Sequence, residues 1–190
     1  DAMTTGVGGV GVGYQAGSAW TGAYSLTAVG YQAMLACTTG VNNTAVGRSA
    51  LAAITTTGEN TAVGNLAGRV CTGSQLSALG SNAAYSLTTG NSNTAVGHNS
   101  LYYTTTADNN TAIGKDALLA NTTGANNVAV GMNSLDANTT ASNNTSVGTS
   151  SMGANTTGTD NCALGASALA SNTTANYNTA IGRFALQSNT

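Results

Sequence analysis

The chain has 190 residues, of which 5% are charged, a net charge of −2 and no proline. That balance argues against an electrostatic nucleic-acid or anionic-membrane partner, and no run of residues reads as a signal peptide or a membrane span. Polar disordered chains usually carry charge and proline. A stack of in-register coils explains the lack of both: equivalent residues lie about 4.8 Å apart, so a repeated charge would face its own copy, and proline would remove a ladder donor at each recurrence.

The element that repeats is a short strand closed by glycine. Its fullest form is NNTAVG at residues 42–47, which returns at 109–114 and, weaker, at 126–131 and 143–148. The closing glycines are Gly13, Gly30, Gly47, Gly64, Gly80, Gly97, Gly114, Gly131, Gly148, Gly165 and Gly182, spaced by 17 residues except for a step of 16 between Gly64 and Gly80. A fixed short period along a whole chain marks a repeat architecture. A glycine recurring at a corner is most simply a backbone position of positive φ.

Counting from each glycine, the residue before it is always aliphatic, as in Val46, Val63, Val96, Ile113, Val130 and Val147. These are predicted core residues, and strand alternation puts the residue three before the glycine, mostly threonine, on the same inward face. The alanine between them, as in Ala28, Ala45 and Ala95, is predicted to face outward and to leave a flat face for something to pack against. Four residues after the glycine comes a second apolar column, including Leu51, Leu101, Leu118, Leu135 and Leu169, interrupted by Gly17, Gly68 and Ala84. Eight residues after it stands threonine in every repeat, including Thr38, Thr55, Thr88, Thr105, Thr122, Thr139, Thr156 and Thr173, and Thr190 continues the column. Asn121, Asn138, Asn155 and Asn172 precede it in later repeats, where earlier ones carry Trp20, Cys37, Ile54, Cys71 and Leu87. Asparagine and threonine columns suit hydrogen-bonded ladders between stacked coils.

Apolar positions so placed make no helical stripe, and the glycine, asparagine and threonine content disfavours helix. One coil buries about three apolar side chains at roughly 1.5–3 kcal/mol each, against roughly 1.5 kcal/mol for ordering every residue. Stacking must supply the rest. The predicted fold is all-β: a parallel β-solenoid of about eleven coils, one continuous array over residues 1–190 with no capping element at either end. The short step is expected to tighten a turn near Cys71, Thr72 and Gly73 without breaking the stack. Cys37 and Cys71 share a repeat phase two repeats apart, roughly 9–10 Å by strand spacing, too far for a disulfide; they are read as small buried hydrophobes.

The NTAVG closure resembles the NSVAIG-type repeat of trimeric autotransporter adhesin heads. The longer pattern NNTAIGKDALLANTTGA at residues 109–125 is similar to 17-residue NTAVG/NTTG-type repeats of bacterial and phage tail-fibre-like proteins. The resemblance spans essentially the whole chain and implies a left-handed parallel β-roll and a homotrimer.

Candidate chemistry is sparse. Gly6, Gly8 and Gly11 fit G-x-G-x-x-G, without the following helix or acidic partner that a dinucleotide site requires. His98 is the single histidine, and Asp108, Lys115 and Asp116 are scattered. No catalytic residue, metal ligand, cofactor or enzymatic activity is predicted. Tyr14 and Tyr31 share one phase and Tyr85 and Tyr102 another, so each pair should stack, either as cross-strand support or as a sugar-binding stripe. Three functions fit. The favoured one is a structural filament or fibre shaft, extracellular or on a cell surface or virion, whose partners are copies of itself: uncapped ends would stack head to tail into a filament. The others are an adhesin or receptor-binding fibre segment that contacts cell-surface glycans, and an ice-binding solenoid suggested by the threonine column.

Overall fold

The computed structural model describes residues 8–22 and 25–189. Gly6, Thr190 and the chain's first residues, on which some expectations fall, lie outside the described residues. The elements are eleven strands of three residues: β1 (Val10–Val12), β2 (Thr27–Val29), β3 (Thr44–Val46), β4 (Thr61–Val63), β5 (Ser77–Leu79), β6 (Thr94–Val96), β7 (Thr111–Ile113), β8 (Val128–Val130), β9 (Thr145–Val147), β10 (Cys162–Leu164) and β11 (Thr179–Ile181). They form one parallel sheet in sequence order. Like residues pair with like, Thr44 with Thr61, Ala45 with Ala62 and Val46 with Val63. The rest of each coil is turn, hydrogen-bonded to the coils above and below, so the protein is a β-solenoid.

The two faces of the sheet are the reverse of the sequence expectation. Ala28, Ala45, Ala62, Ala78, Ala95, Ala112, Ala129 and Ala163 are fully buried. Val46, Val63, Val96, Ile113, Val130 and Val147 are not core residues: they stand on the outer face with the threonines, and Val63 and Ile113 are 37% and 40% exposed. Alternation fixes only that the flanking residues share a face and the middle one takes the other. The width of the coil decides which face is inward. Leu51, Leu101, Leu118, Leu135 and Leu169 are fully buried in the interior, and the sheet residue facing inward is small from β2 to β11, alanine or, in β9, the buried Ser146.

Those leucines hold an unusual conformation, with φ of +49° to +52°. Left-handed backbone costs a side-chain-bearing residue about 1–2 kcal/mol. Ala84 holds the same conformation as the leucines (φ +52°), whereas the other two apparent interruptions of this column are residues suited to the position, Gly17 (φ +61°) and Gly68 (φ +56°). Their missing side chains are replaced from elsewhere in the coil: Trp20 occupies the space beside Gly17, and Leu76 reaches over Gly68. The corner glycines face a stricter demand. Gly97 has φ +129°, and a Cβ there would lie 2.6 Å from the carbonyl oxygen of Gly114 in the next coil. Gly97→Ala is expected to destabilise the fold by about 3 kcal/mol or more, summing backbone strain and overlap. Urea unfolding followed by circular dichroism measures it, and a loss within about 0.5 kcal/mol would contradict the close approach.

Two asparagine ladders run through the interior. In the first, Asn43, Asn60, Asn93, Asn110, Asn127, Asn144 and Asn161 stand just before the strands. Each accepts on Oδ1 the backbone N–H of the next coil, as Asn110 does from Asn127 at 3.0 Å. Each Nδ2 donates to a backbone carbonyl, as from Asn110 to Gly124 at 2.9 Å. The second asparagine of NNTAVG is thus an internal clamp. In the second ladder, Asn138 donates to Asn121 Oδ1 (2.9 Å) and Asn172 to Asn155 Oδ1 (2.9 Å). Its members also reach the carbonyls used by the first ladder: the Gly124 oxygen accepts from both Asn110 and Asn121. On the perimeter, the hydroxyls of Thr38, Thr88, Thr105, Thr122, Thr139 and Thr156 each donate to the carbonyl of the next threonine at 2.9–3.2 Å, and the Thr55 and Thr173 carbonyls accept from their predecessors.

The short repeat is absorbed in one turn. In the second coil the N–H groups of Thr38, Thr39 and Gly40 all point at the Thr55 carbonyl, whereas in the short one only Thr72 and Gly73 point at Thr88. Strands β4 and β5 keep register, Thr61 against Ser77.

Candidate functional site

The outer face of the sheet is the feature that the fold leaves unexplained. A parallel sheet ordinarily has both faces covered. Here the inner face lies on the core, and the outer one carries two unbroken columns, threonine (with Ser77, Val10, Val128 and Cys162) and aliphatic. Leu79 is 42% and Leu164 47% exposed. Eleven strands at the usual spacing make a strip roughly 48 Å long. Two columns of that length present on the order of 500 Å² of mixed methyl and hydroxyl surface, at the upper end of the apolar patches of single soluble chains.

No charged residue falls in either column. Charges flank them instead. The column after the corner glycine holds exposed Arg48, Lys115 and Arg183, and the one at the opposite border holds exposed Glu59 and Asp160. An uncharged centre with a polar, charged border is the anatomy of a protein interface. The residues predicted as core from Val46 to Val147 are, in fact, the centre of this strip.

Of the other singled-out residues, Tyr14, Tyr31, His98 and Lys115 stand on its border and the rest lie outside its two columns. Tyr14 and Tyr31 stack with ring centres 5.4 Å apart, and Tyr85 and Tyr102 at 5.0 Å with planes within 4°. Arg69 donates to the Tyr85 hydroxyl at 3.0 Å. Asp108 accepts the Asn91 backbone N–H, and Lys115 pairs with Asp116 at 3.0 Å. Among the described residues, no group of three or more His, Cys, Asp or Glu side chains is placed to share a metal ion.

The cysteines report on the two sides of the sheet. Cys37 and Cys71 are buried and free, and burial pushes the Cys71 thiol up to about 11. Its contribution to stability is present below the ordinary value of 9.0 and is lost as the pH rises toward about 11. Cys162 belongs to the outer face and is part-exposed. An alkylating reagent at pH 8 is expected to modify Cys162 in the native chain and the other two only after unfolding. Modification of all three at one rate, read by mass spectrometry, would contradict the placement.

By geometry the protein belongs to the parallel β-solenoid repeat class. No protein-family model matches the chain, and no curated protein or solved structure compared with it matches either.

Proposed function

We propose that the chain is a non-enzymatic shaft segment of an extracellular fibre or filament, on a cell or a virion, and that it assembles with copies of itself through the outer sheet face. The observation that carries this reading is the uninterrupted uncharged strip along all eleven strands. None of the described residues covers it, and a second copy presents the same strand spacing.

The flanking charges favour copies side by side and parallel. Arg48 and Glu59 stand on opposite borders one coil apart in height, as do Asp160 and Arg183. In a parallel cyclic assembly one copy's basic border therefore meets the next copy's acidic border at nearly the same level, a heterologous contact that closes into a ring of shafts. A homotrimer is the form that the resemblance to adhesin heads implies. Sedimentation equilibrium with electron microscopy tests the proposal. Thin rods of two or more chains are expected, with Cys162 protected from alkylation in the assembly. Monomers at high concentration, with Cys162 reactive throughout, would sink it.

The same face supports a second reading, ice binding. The column threonines expected to serve this role donate their hydroxyls to backbone carbonyls, whereas the outer-face threonines repeat at the strand spacing on an uncharged surface. Thermal hysteresis in dilute solution separates the two readings, since a shaft gives none.

A further inference from the structure

We propose that the groove formed by Asn82, His98, Asn99, Tyr102, Tyr103 and Leu119 binds a neutral saccharide. The groove is a cavity of about 320 Å³ on the side of the coil that follows the corner glycine, spanning the fifth to seventh coils. Small-molecule sites of this size combine apolar walls with a few oriented polar groups, and both are present.

The walls are aromatic and meet at a right angle. Tyr103 stands edge-on to Tyr102, with ring centres 4.7 Å apart and planes at 76°. The stacking of Tyr102 on Tyr85 explains Tyr102 as a ladder residue. It does not explain Tyr103. Equivalent positions in other coils hold Ala36, Ala53, Ser86, Ala120 and Ala137, and Tyr103 is 53% exposed. A flat exposed ring with a phenolic hydroxyl at its edge offers one face to the C–H surface of a pyranose and a hydrogen bond to its rim.

The polar side is pre-aligned. Asn82 Nδ2 donates to Asn99 Oδ1 at 3.2 Å, Asn99 Nδ2 donates to Asp116 Oδ1 at 3.1 Å, and Lys115 anchors Asp116. This chain fixes the amide planes and uses one N–H of each, so a second N–H on each side chain remains for a ligand hydroxyl. No Asp, Glu, Lys or Arg lines the groove. Planar amides beside an aromatic wall suit vicinal hydroxyls, and the volume accommodates one or two sugar rings. Acidic sugars would find no Lys or Arg among the lining side chains.

The test is a glycan array holding neutral gluco-, galacto-, manno- and N-acetylglucosamine oligosaccharides beside sialylated and sulfated ones, followed by calorimetric titration of the best binder. At least one neutral saccharide is expected to bind. Tyr103→Ala, at an exposed site, is expected to weaken it about tenfold or more; Tyr103→Phe should retain most of the affinity. Tyr14→Ala, five coils away, should change nothing. Silence across the neutral set, preference for the acidic set, or equal affinity in Tyr103→Ala overturns the proposal. The inference does not depend on self-assembly: Val130→Asp is expected to abolish assembly and leave saccharide binding intact, so the two can fail separately.

Discussion

Ala129→Asp is expected to unfold the stack around β8, while Val130→Asp, the next residue along, leaves the single chain folded. Ala129 is fully buried against the neighbouring coils. A carboxylate there has neither water nor a cation, and it is larger than the alanine or serine that the inward column accepts. Together these cost several kcal/mol, enough to remove much of a domain's stability. Val130 points the other way and is part-exposed. Its aspartate stays hydrated, lies beside uncharged Ile113 and Val147, and forfeits only part of a valine's burial, about 1 kcal/mol. The same aspartate places a charge at the centre of the strip proposed to pack on other copies, so its effect belongs in sedimentation rather than in melting. Circular dichroism melts of both variants, with sedimentation of the second, resolve the matter. Similar melting shifts would refute the assignment of faces. A Val130→Asp variant that assembles normally would refute the proposed interface while leaving the fold untouched.

This pair of residues also shows what the repeat alone can reveal. The period, the parallel sheet, the corner glycines and the threonine ladder follow from spacing, because a stack aligns equivalent residues whatever its cross-section. Which face of a three-residue strand is inward does not follow. Both faces are small or apolar, and hydrophobicity favours valine over alanine as core. The answer depends on the width of the coil, set by leucines in left-handed backbone that spacing does not reveal. The uncovered strip is therefore hidden in the sequence, where its aliphatic residues read as interior. The stacked tyrosines were foreseeable as pairs. The groove beside them was not, because Asn82, Asn99 and His98 meet Tyr103 only through a turn. One signal in the sequence did point to the inner clamp: the second asparagine of NNTAVG recurs in eight of the eleven repeats, giving way to Gly9, Leu26 and Leu76 in the others, and a polar residue repeated so often beside an apolar core has the backbone to satisfy.

That clamp leads to the second large effect. Asn93→Ala is expected to destabilise the protein more than Asn127→Ala, although both side chains are buried and chemically identical. Asn93 Oδ1 accepts the Asn110 backbone N–H at 3.0 Å, and its Nδ2 donates to the Ala107 carbonyl at 2.7 Å. Asn127 does the same for Asn144 N–H (3.0 Å) and the Ala141 carbonyl (2.8 Å). The second asparagine ladder makes the difference. Asn138 also donates to the Ala141 carbonyl, at 3.1 Å. In the earlier coil the equivalent position is Thr104, too short to provide such a donor. Truncating Asn127 strands one buried group, the Asn144 N–H; truncating Asn93 strands two. At roughly 1–3 kcal/mol for each buried group left without a partner, the expected losses are about 2–5 kcal/mol for Asn93→Ala and about 1–3 kcal/mol for Asn127→Ala. Adding Asn138→Ala to Asn127→Ala should then cost more than the two single changes summed, because the Ala141 carbonyl loses its last donor only in the double variant. Urea unfolding of the four variants measures the cycle. Simple additivity, or a larger loss at Asn127 than at Asn93, would show that the two ladders do not share the carbonyl's load.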